Sequence, residues 1–304
     1  MRRLPAFVLS VGLVLGFAVG TGGSPAGAAP PGTANAAATA AVPRLVAIRA
    51  AHHPGKDRVV FEFAGGLPRS RTVGYVDRPL GDGSGLPVRI AGRALLQMRF
   101  ADAEAHDSAG RETAPGRVAY ALPNVMTVVR SGDFEAVTTY GIGLTSRQPF
   151  RVFTLTGPPR VVIDVDASFR TVTRRVWFLD ERRFAAGTEP YFRSVLRPVL
   201  PFLPATTLLH RVYAGPTPAE QRAGLRLVRS GSTGFTALSV AGGIARVRLT
   251  GGCSSGGSTV TVAGHLFPTL KQLPQVDAVK VFDPQGRTER PRGRVDSIPV
   301  CLEP

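Results

Sequence analysis

Between residues 43 and 168 the chain shows many short β-rich runs and no stretch with convincing helical periodicity. The clearest runs are Val59–Phe63, Val73–Val76, Pro87–Gly92, Ala94–Phe100, Val125–Val129, Phe134–Tyr140, Phe150–Leu155 and Arg160–Val165. Gly, Pro and Asp punctuate these runs, and tight turns are predicted at residues 131–133 and 157–160. This spacing predicts a β-sandwich domain over residues 43–170, with an exposed polar loop at residues 102–116.

After Thr171 the pattern changes, because helical stripes now alternate with strand-like runs. The predicted elements are a strand at 176–180, a helix around 208–213, strands at 235–240 and 244–249, a helix over 263–273 and a strand at 278–282. Ala241-Gly242-Gly243 predicts a hairpin between the two middle strands. The order β-α-β-β-α-β predicts a small α/β module over residues 174–304, so we expect two domains.

The first 28 residues have the pattern of a signal peptide. Arg2 and Arg3 precede an apolar stretch, Ala6–Val19, and small residues at 26–28 offer a cleavage site. The stretch is shorter than the roughly 20 residues that cross a bilayer, so we expect cleavage, with an uncleaved anchor as the alternative. Residues 29–42 are low in complexity and predict a flexible linker. We therefore expect an extracellular, secreted protein.

Arginine dominates the charge of the chain. The formal net charge is +16 and falls to +14 when Arg2 and Arg3 leave with the signal. Lysine occurs only at positions 56, 271 and 280, and alanine, glycine and proline are abundant, so part of the charge reflects a general composition bias. The rest of the positive charge predicts a surface that attracts anionic partners, such as wall polymers or lipid headgroups.

Two cysteines, Cys253 and Cys301, are present. Cysteines in an oxidising compartment usually pair, so we expect a disulfide between them, with a reactive thiol as the alternative. The bridge would close a loop of about 49 residues and stabilise the fold by up to roughly 4 kcal/mol.

Motifs with an established catalytic or metal-binding mechanism do not occur in the sequence. Asp164 and Asp166 alternate as paired carboxylates do in some hydrolases, but they resemble the polar end of an edge strand. His106 lies among three carboxylates that lack the spacing of a calcium loop. The glycine-rich residues 251–257 lack the lysine of a phosphate-binding loop. We therefore expect no enzyme activity, no metal and no cofactor.

A basic cluster near the C-terminus is the candidate ligand-binding site. Its members are Arg287, Arg290, Arg292 and Arg294. Pro291 and Gly293 interrupt them, which predicts an extended, exposed segment whose guanidinium groups can bind a polyanion in bidentate fashion. Export and the lack of stacking aromatics among the arginines argue against nucleic acid as the partner. The alternative is a solvated tail without a ligand.

Several segments of residues 43–168 resemble the AMIN-like domains of actinobacterial secreted proteins. They are Gly55–Phe63, Gly74–Val76, Gly83–Gly92 and Pro149–Val165. The resemblance implies a β-sandwich and, through the related AMIN domains, localisation at the peptidoglycan layer.

Residues 174–285 resemble the GerMN module of several envelope proteins. The similar segments are Val176–Glu181, Tyr213–Leu225, Gly242–Leu249 and Phe267–Val281. Pro268 departs from the pattern and should kink or shorten the second helix. The resemblance implies a scaffold or interaction role.

Together these features predict a secreted, non-catalytic protein of the cell envelope. We expect it to bind peptidoglycan or another anionic wall polymer and to act as a scaffold or adaptor, with a protein partner for the C-terminal module. One alternative is a structural module that associates with itself. The other is an enzyme acting on wall polymer, which would require Asp164 or another carboxylate to face a second one across a cleft.

Overall fold

Alternation between buried and half-exposed side chains along Lys56–Ala64 shows how the N-terminal part of the protein folds. Asp57, Val59, Phe61 and Phe63 are buried on one face of this strand. Side chains alternate in this way when one face of a strand covers a core. The computed structural model describes residues 41–304, and the predicted signal peptide and nearly all of the predicted linker lie outside these described residues.

The N-terminal lobe, residues 41–167, is built from nine strands in two antiparallel sheets. The strands are β1 (Arg44–His53), β2 (Lys56–Ala64), β3 (Ser70–Val76), β4 (Ala94–Ala101), β5 (Arg117–Ala119), β6 (Val125–Phe134), β7 (Val137–Leu144), β8 (Phe150–Thr156) and β9 (Pro159–Asp166). One sheet has the order β1-β2-β9-β8 and the other β3-β4-β7-β6-β5. Each of the four edge strands, β1, β8, β3 and β5, carries at least one arginine.

The two sheets pack face to face around an aromatic core. The ring of Phe61 lies 5.2 Å from that of Phe100 and 5.6 Å from that of Tyr140, and Phe63 lies 5.0 Å from Phe100. All four side chains are buried. The two phenylalanine pairs are edge-to-face, and such pairs add about 0.5–1.5 kcal/mol each beyond the burial of their apolar area. The arrangement confirms the predicted sandwich.

One predicted strand and one predicted turn of the N-terminal lobe are wrong. Residues 87–92 contribute only an isolated bridge, because Pro87 cannot donate to a ladder and Gly92 has a positive φ. The turn between β6 and β7 lies at Glu135 and Ala136, which both have positive φ, and not at residues 131–133. Strand β6 continues through Gly132, where its pairing with β7 shifts register. The hairpin is therefore longer than predicted.

The polar segment 102–116 is not a fully exposed loop. Its alanines Ala103, Ala105 and Ala114 are buried against the sandwich core. Strand β9, which carries Asp164, lies between β2 and β8 and is therefore an interior strand rather than an edge strand.

The C-terminal lobe, residues 168–304, combines two small sheets with short helices. Its elements are β10 (Val172–Asp180), α1 (Glu181–Ala185), β11 (Phe192–Val199), α2 (Pro204–Ala214), α3 (Pro218–Arg222), β12 (Leu225–Arg226), β13 (Ser232–Ala241), β14 (Ile244–Gly251), α4 (Ala263–Lys271), β15 (Ala278–Phe282) and a short 3-10 helix, Val300–Leu302. The sheets have the orders β11-β10-β12 and β13-β14-β15, with β15 parallel to β14. This architecture confirms the predicted fold class, a sandwich followed by a smaller α/β region.

The predicted order β-α-β-β-α-β corresponds to β10, α2, β13, β14, α4 and β15. Strand β11 was not predicted, because its alternation includes Arg197, a buried arginine that bonds to Glu220. Helix α4 passes through Pro268 and ends at Lys271, whereas Leu273 follows the helix and is still buried in the same core. No helix among residues 41–304 is long and apolar enough to cross a bilayer.

A buried arginine on α2 joins the two lobes. The Arg211 guanidinium donates hydrogen bonds to the N-terminal lobe at the carbonyls of Tyr120 (3.3 Å), Leu122 (2.6 Å) and Pro123 (3.2 Å) and at Thr145 Oγ1 (3.1 Å). Burial lowers the pKa of Arg211 to about 9, so the group still carries its charge at neutral pH. Arg211 therefore supplies several of the hydrogen bonds between the lobes, and a change at this one side chain would remove them.

The C-terminal segment is fixed to the lobe at two places. Cys253 and Cys301 form a disulfide with a Cα–Cα distance of 5.6 Å, which confirms the predicted bridge. The buried ammonium of Lys280 donates to the carbonyl oxygens of Arg290, Arg292 (3.1 Å) and Val295 (3.1 Å). The predicted basic tail is therefore folded against β15.

Candidate anion-binding cleft

A cleft of about 640 Å³ opens where the C-terminal end of α2 approaches strand β5 of the N-terminal lobe. The turn after α2 shapes one wall. Gly215 ends the helix with a φ of 91°, a left-handed conformation that favours glycine, and Thr217 then caps α3. The Thr217 hydroxyl accepts a hydrogen bond from the Glu220 backbone N–H, while the Glu220 carboxylate accepts one from the Thr217 N–H. Gly215 and the capping box of Thr217 and Glu220 therefore determine the conformation of this turn.

Four arginines line this cleft. Arg117 comes from β5, Arg222 ends α3, Arg226 lies on β12 and Arg229 follows it. The other described residues of the lining are small, apolar or amide side chains, and none of them is acidic. Glu220 lies two positions before Arg222 in the sequence, but its carboxylate accepts a hydrogen bond of 2.8 Å from Arg197. We refer to this site as the arginine cleft.

The positive charges of the arginine cleft are only partly compensated. Arg226 forms an ion pair of 2.9 Å with Glu181. Arg117, Arg222 and Arg229 have no carboxylate within ion-pair distance among the described residues. Arg117 donates to the carbonyl of Arg89 (3.2 Å), and Arg229 donates to that of Tyr213 (3.3 Å).

Like charges therefore face each other across the two lobes. Although Arg117 is exposed at the rim, desolvation within the cleft, and secondly the charge of Arg229, lower its pKa to about 10. Burial also lowers the pKa of the half-buried Arg229. Both groups remain protonated at neutral pH, so an entering anion would relieve their repulsion. A guanidinium fork binds phosphate or carboxylate in bidentate fashion, which sets the chemistry that this cleft can accept.

No pattern in the sequence pointed to the arginine cleft. More than 100 positions separate Arg117 from Arg222, and only the fold brings them to one cavity. The segment Tyr213–Leu225, which contains Arg222, was singled out for its family resemblance and not for its charge.

The four arginines of the predicted ligand site differ in whether they form ion pairs. Arg287 pairs with Asp283 (2.8 Å) and Arg294 pairs with Asp277. Arg290 and Arg292 are exposed, and neither has an ion pair among the described residues. Their role in ligand binding stays a prediction, but only two of the four guanidinium groups are free to meet a ligand without breaking an existing pair.

The two carboxylates Asp164 and Asp166 have separate structural partners. Arg58 donates to both oxygens of Asp164, at 2.6 and 2.8 Å, and Lys56 lies 3.0 Å away. The hydrogen bonds from Arg58, the largest cause, lower the pKa of Asp164 to about 2. Asp166 instead accepts hydrogen bonds from Ser168. Asp164 thus stabilises the pairing of β2 with β9.

His106 forms a hydrogen bond with Asp133. Its Nδ1 lies 2.8 Å from Asp133 Oδ2, and this hydrogen bond raises the pKa of His106. Within residues 41–304 no group of three or more His, Cys, Asp or Glu side chains is placed to hold a metal ion. Of the glycine-rich residues 251–257, Gly251 ends strand β14 and residues 252–257 form a loop pinned by the Cys253 disulfide.

The N-terminal lobe, with its two packed sheets and aromatic core, covers nearly the same residues as a known family of domains. Residues 43–167 match the family model of the AMIN-like domain. This match indicates a cell-envelope-associated module, and the AMIN-like domain together with the disulfide indicates an extracytoplasmic protein. The comparison gives no evidence for a GerMN domain in the C-terminal part. No curated protein and no solved structure matches the chain. Arg117 is the contribution of the AMIN-like domain to the arginine cleft.

Proposed function

We propose that this is a secreted, non-catalytic envelope protein that binds an anionic wall polymer in the arginine cleft. The observation that carries the proposal is the set of four arginines from two lobes in a cavity whose described lining has no acidic residue. Such a cavity favours an anion because each bidentate guanidinium contact replaces unfavourable repulsion with charge-assisted hydrogen bonds. The cleft is also open enough to admit a segment of polymer rather than a free ion alone.

The chemistry of the lining favours a polymer of the wall over a nucleic acid. Single-stranded nucleic acids are held by basic grooves in which aromatic side chains stack on the bases. Among the described residues of the cleft the apolar ones are aliphatic, such as Ala214, Pro216 and Leu227. Phosphate or carboxylate groups along a wall polymer or on peptidoglycan would satisfy the arginines without such stacking.

A scaffold or adaptor role extends the proposal to the C-terminal lobe. Its resemblance to the GerMN module, carried by Tyr213–Leu225 and Phe267–Val281, motivates a protein partner or self-association there. The hydrogen bonds from Arg211 to the N-terminal lobe support an adaptor that holds a polymer at the interface and a partner on the C-terminal lobe.

Co-sedimentation with purified cell-wall sacculi tests the polymer binding. The mature protein is compared with R117Q/R229Q, and with R99Q/R170Q, which removes the same charge from two exposed arginines outside the cleft. Each lost charge-assisted hydrogen bond costs about 1.5–3 kcal/mol, so we expect R117Q/R229Q to bind at least tenfold more weakly. The control variant should differ from the unmodified protein by much less.

Sacculi stripped of phosphodiester-linked polymers by acid identify the ligand. Loss of binding on stripping assigns the phosphate polymer, and retained binding assigns the carboxylates of peptidoglycan. Equal binding by R117Q/R229Q and R99Q/R170Q would refute the cleft as the site. Release of soluble wall fragments during the incubation would refute the non-catalytic assignment.

A further inference from the structure

Strand β14 presents a second set of arginines on the face of its sheet that points away from the core of the C-terminal lobe. Ala245, Val247 and Leu249 are buried in that core. Arg246 and Arg248 alternate with them and therefore lie on the outer face of the sheet β13-β14-β15. This face is separate from the arginine cleft, which contains neither residue.

The neighbouring strands complete a shallow groove around these two arginines. Arg246 lies between Ser239 of β13 and Lys280 of β15, and Arg248 lies between Ala237 and Phe282 in the same order. The groove has a volume of about 290 Å³, and its lining includes both arginines, Ser239 and Phe282. A hydroxyl beside two guanidinium groups offers the donors that a tetrahedral oxyanion requires. We call this site the sheet groove.

The loop after β15 is shaped around Arg248. Gly286 has a φ of 84°, and a Cβ at this position would overlap the Arg248 guanidinium. The absence of a side chain therefore lets the guanidinium lie across the loop at the edge of the groove.

Nearby acidic side chains do not neutralise the sheet groove. Asp277 is paired with Arg294, Asp283 with Arg287, and Asp296 with Lys271. Among the described residues, neither Arg246 nor Arg248 has a carboxylate within ion-pair distance.

Lys280 adds a fixed positive charge at the same place. Its ammonium is buried beside Arg246 and is held by backbone carbonyls. Carbonyl oxygens supply partial negative charge but no net charge, so the local excess is positive. The segment that provides these carbonyls also carries the exposed, unpaired Arg290 and Arg292.

We propose that the sheet groove is a second anion site, which binds a phosphate group of a polyanionic chain through Arg246, Arg248 and Ser239. Phe282 provides the apolar surface against which the carbon atoms next to that phosphate lie. The site is independent of the arginine cleft. A polymer with repeated phosphates would therefore engage one protein molecule at two places, which raises its apparent affinity above that of either site.

Side-chain NMR of arginine Nε–Hε groups tests the proposal, with inorganic phosphate as the probe. We expect saturable shifts for Arg246 and Arg248 that persist in R117Q/R229Q. Shifts of Arg117 and Arg229 report on the cleft in the same titration, so failure of one site is distinguishable from failure of the other. Shifts at Arg246 and Arg248 that are absent, or that sodium chloride reproduces at equal ionic strength, would overturn the second site.

Binding of inorganic polyphosphate measures the contribution of the sheet groove. The variant R246Q/R248Q should bind at least tenfold more weakly than R99Q/R170Q, because two bidentate contacts are lost at equal net charge. Circular dichroism and the cooperativity of urea unfolding establish that both variants are folded. Equal polyphosphate affinity of these two folded variants would also contradict the proposal.

Discussion

Replacement of Arg211 by methionine is the sharpest test of how the two lobes are held together. The Arg211 side chain is fully buried, and its guanidinium donates to Pro198 O in its own lobe as well as to four acceptors of the N-terminal lobe. Methionine has a comparable apolar stem, so the substitution removes the donors with little change in volume.

The expected loss follows from the acceptors that R211M would leave unpaired. Hydrogen bonds to a charged group contribute about 1.5–3 kcal/mol each, and an unsatisfied buried acceptor costs about 1–3 kcal/mol. The variant also avoids the cost of burying a charge, which offsets part of this sum. We expect a net loss of about 3 kcal/mol, which is a large part of the roughly 5–15 kcal/mol that stabilises a typical domain.

Urea unfolding followed by tryptophan fluorescence and circular dichroism measures this difference. Trp177 reports on the C-terminal lobe, whereas the far-ultraviolet signal reports on both lobes. R211M should lower the midpoint by roughly 1 M, and the two signals should separate because the lobes no longer unfold together. The exposed R170Q serves as the control and should change stability by less than about 0.5 kcal/mol. Coincident, unshifted transitions for R211M would refute the reasoning.

Three further predictions concern the C-terminal lobe. Reduction of the Cys253–Cys301 bridge, which spans 48 positions, should destabilise the protein by up to about 4 kcal/mol, as measured by calorimetry with and without reductant. The K280M variant should lose about 2–4 kcal/mol and should show faster hydrogen exchange in residues 287–296, because three carbonyls lose their donor; unchanged exchange would contradict this. His265 accepts from Val228 N–H and donates to Trp177 O, so burial of this neutral form lowers its pKa to about 4. The unfolded chain takes up a proton at this position near pH 6.5, whereas the folded chain does not. The free energy of unfolding should therefore fall as the pH drops from 6.5 towards 4. An NMR titration showing His265 protonated in the folded protein at pH 6 would be incompatible with this prediction.

The fold was largely predictable because local patterns and tertiary burial agree. In β2 and β14 the alternation of apolar and polar residues is the alternation of core and surface. The glycines at 242–243 are found in the predicted hairpin turn with positive φ. Strand β11 was not predictable in this way, because Arg197 occupies a core-facing position. Its burial is possible because Glu220, which is distant in sequence, pairs with it.

The candidate sites were less predictable, because charge clusters in sequence are poor guides to charge clusters in space. Arg287 and Arg294 looked free along the chain and are paired in the fold. Arg117 and Arg229 showed no local pattern and meet only because α2 docks against the N-terminal lobe. The pairing of charges depends on long-range contacts, which periodicity alone does not encode.

The arginines on the edge strands of the sandwich suggest a second use for the high positive charge. Unpaired edge strands are templates on which another chain can add a strand, and charged side chains there oppose such addition. Arg49 on β1, Arg71 on β3, Arg117 on β5 and Arg151 on β8 place a charge on every open edge of the two sheets. Outside the cytoplasm, where cytoplasmic chaperones do not act, these arginines would oppose aggregation, and the affinity for polyanions that we propose would depend on the same residue type.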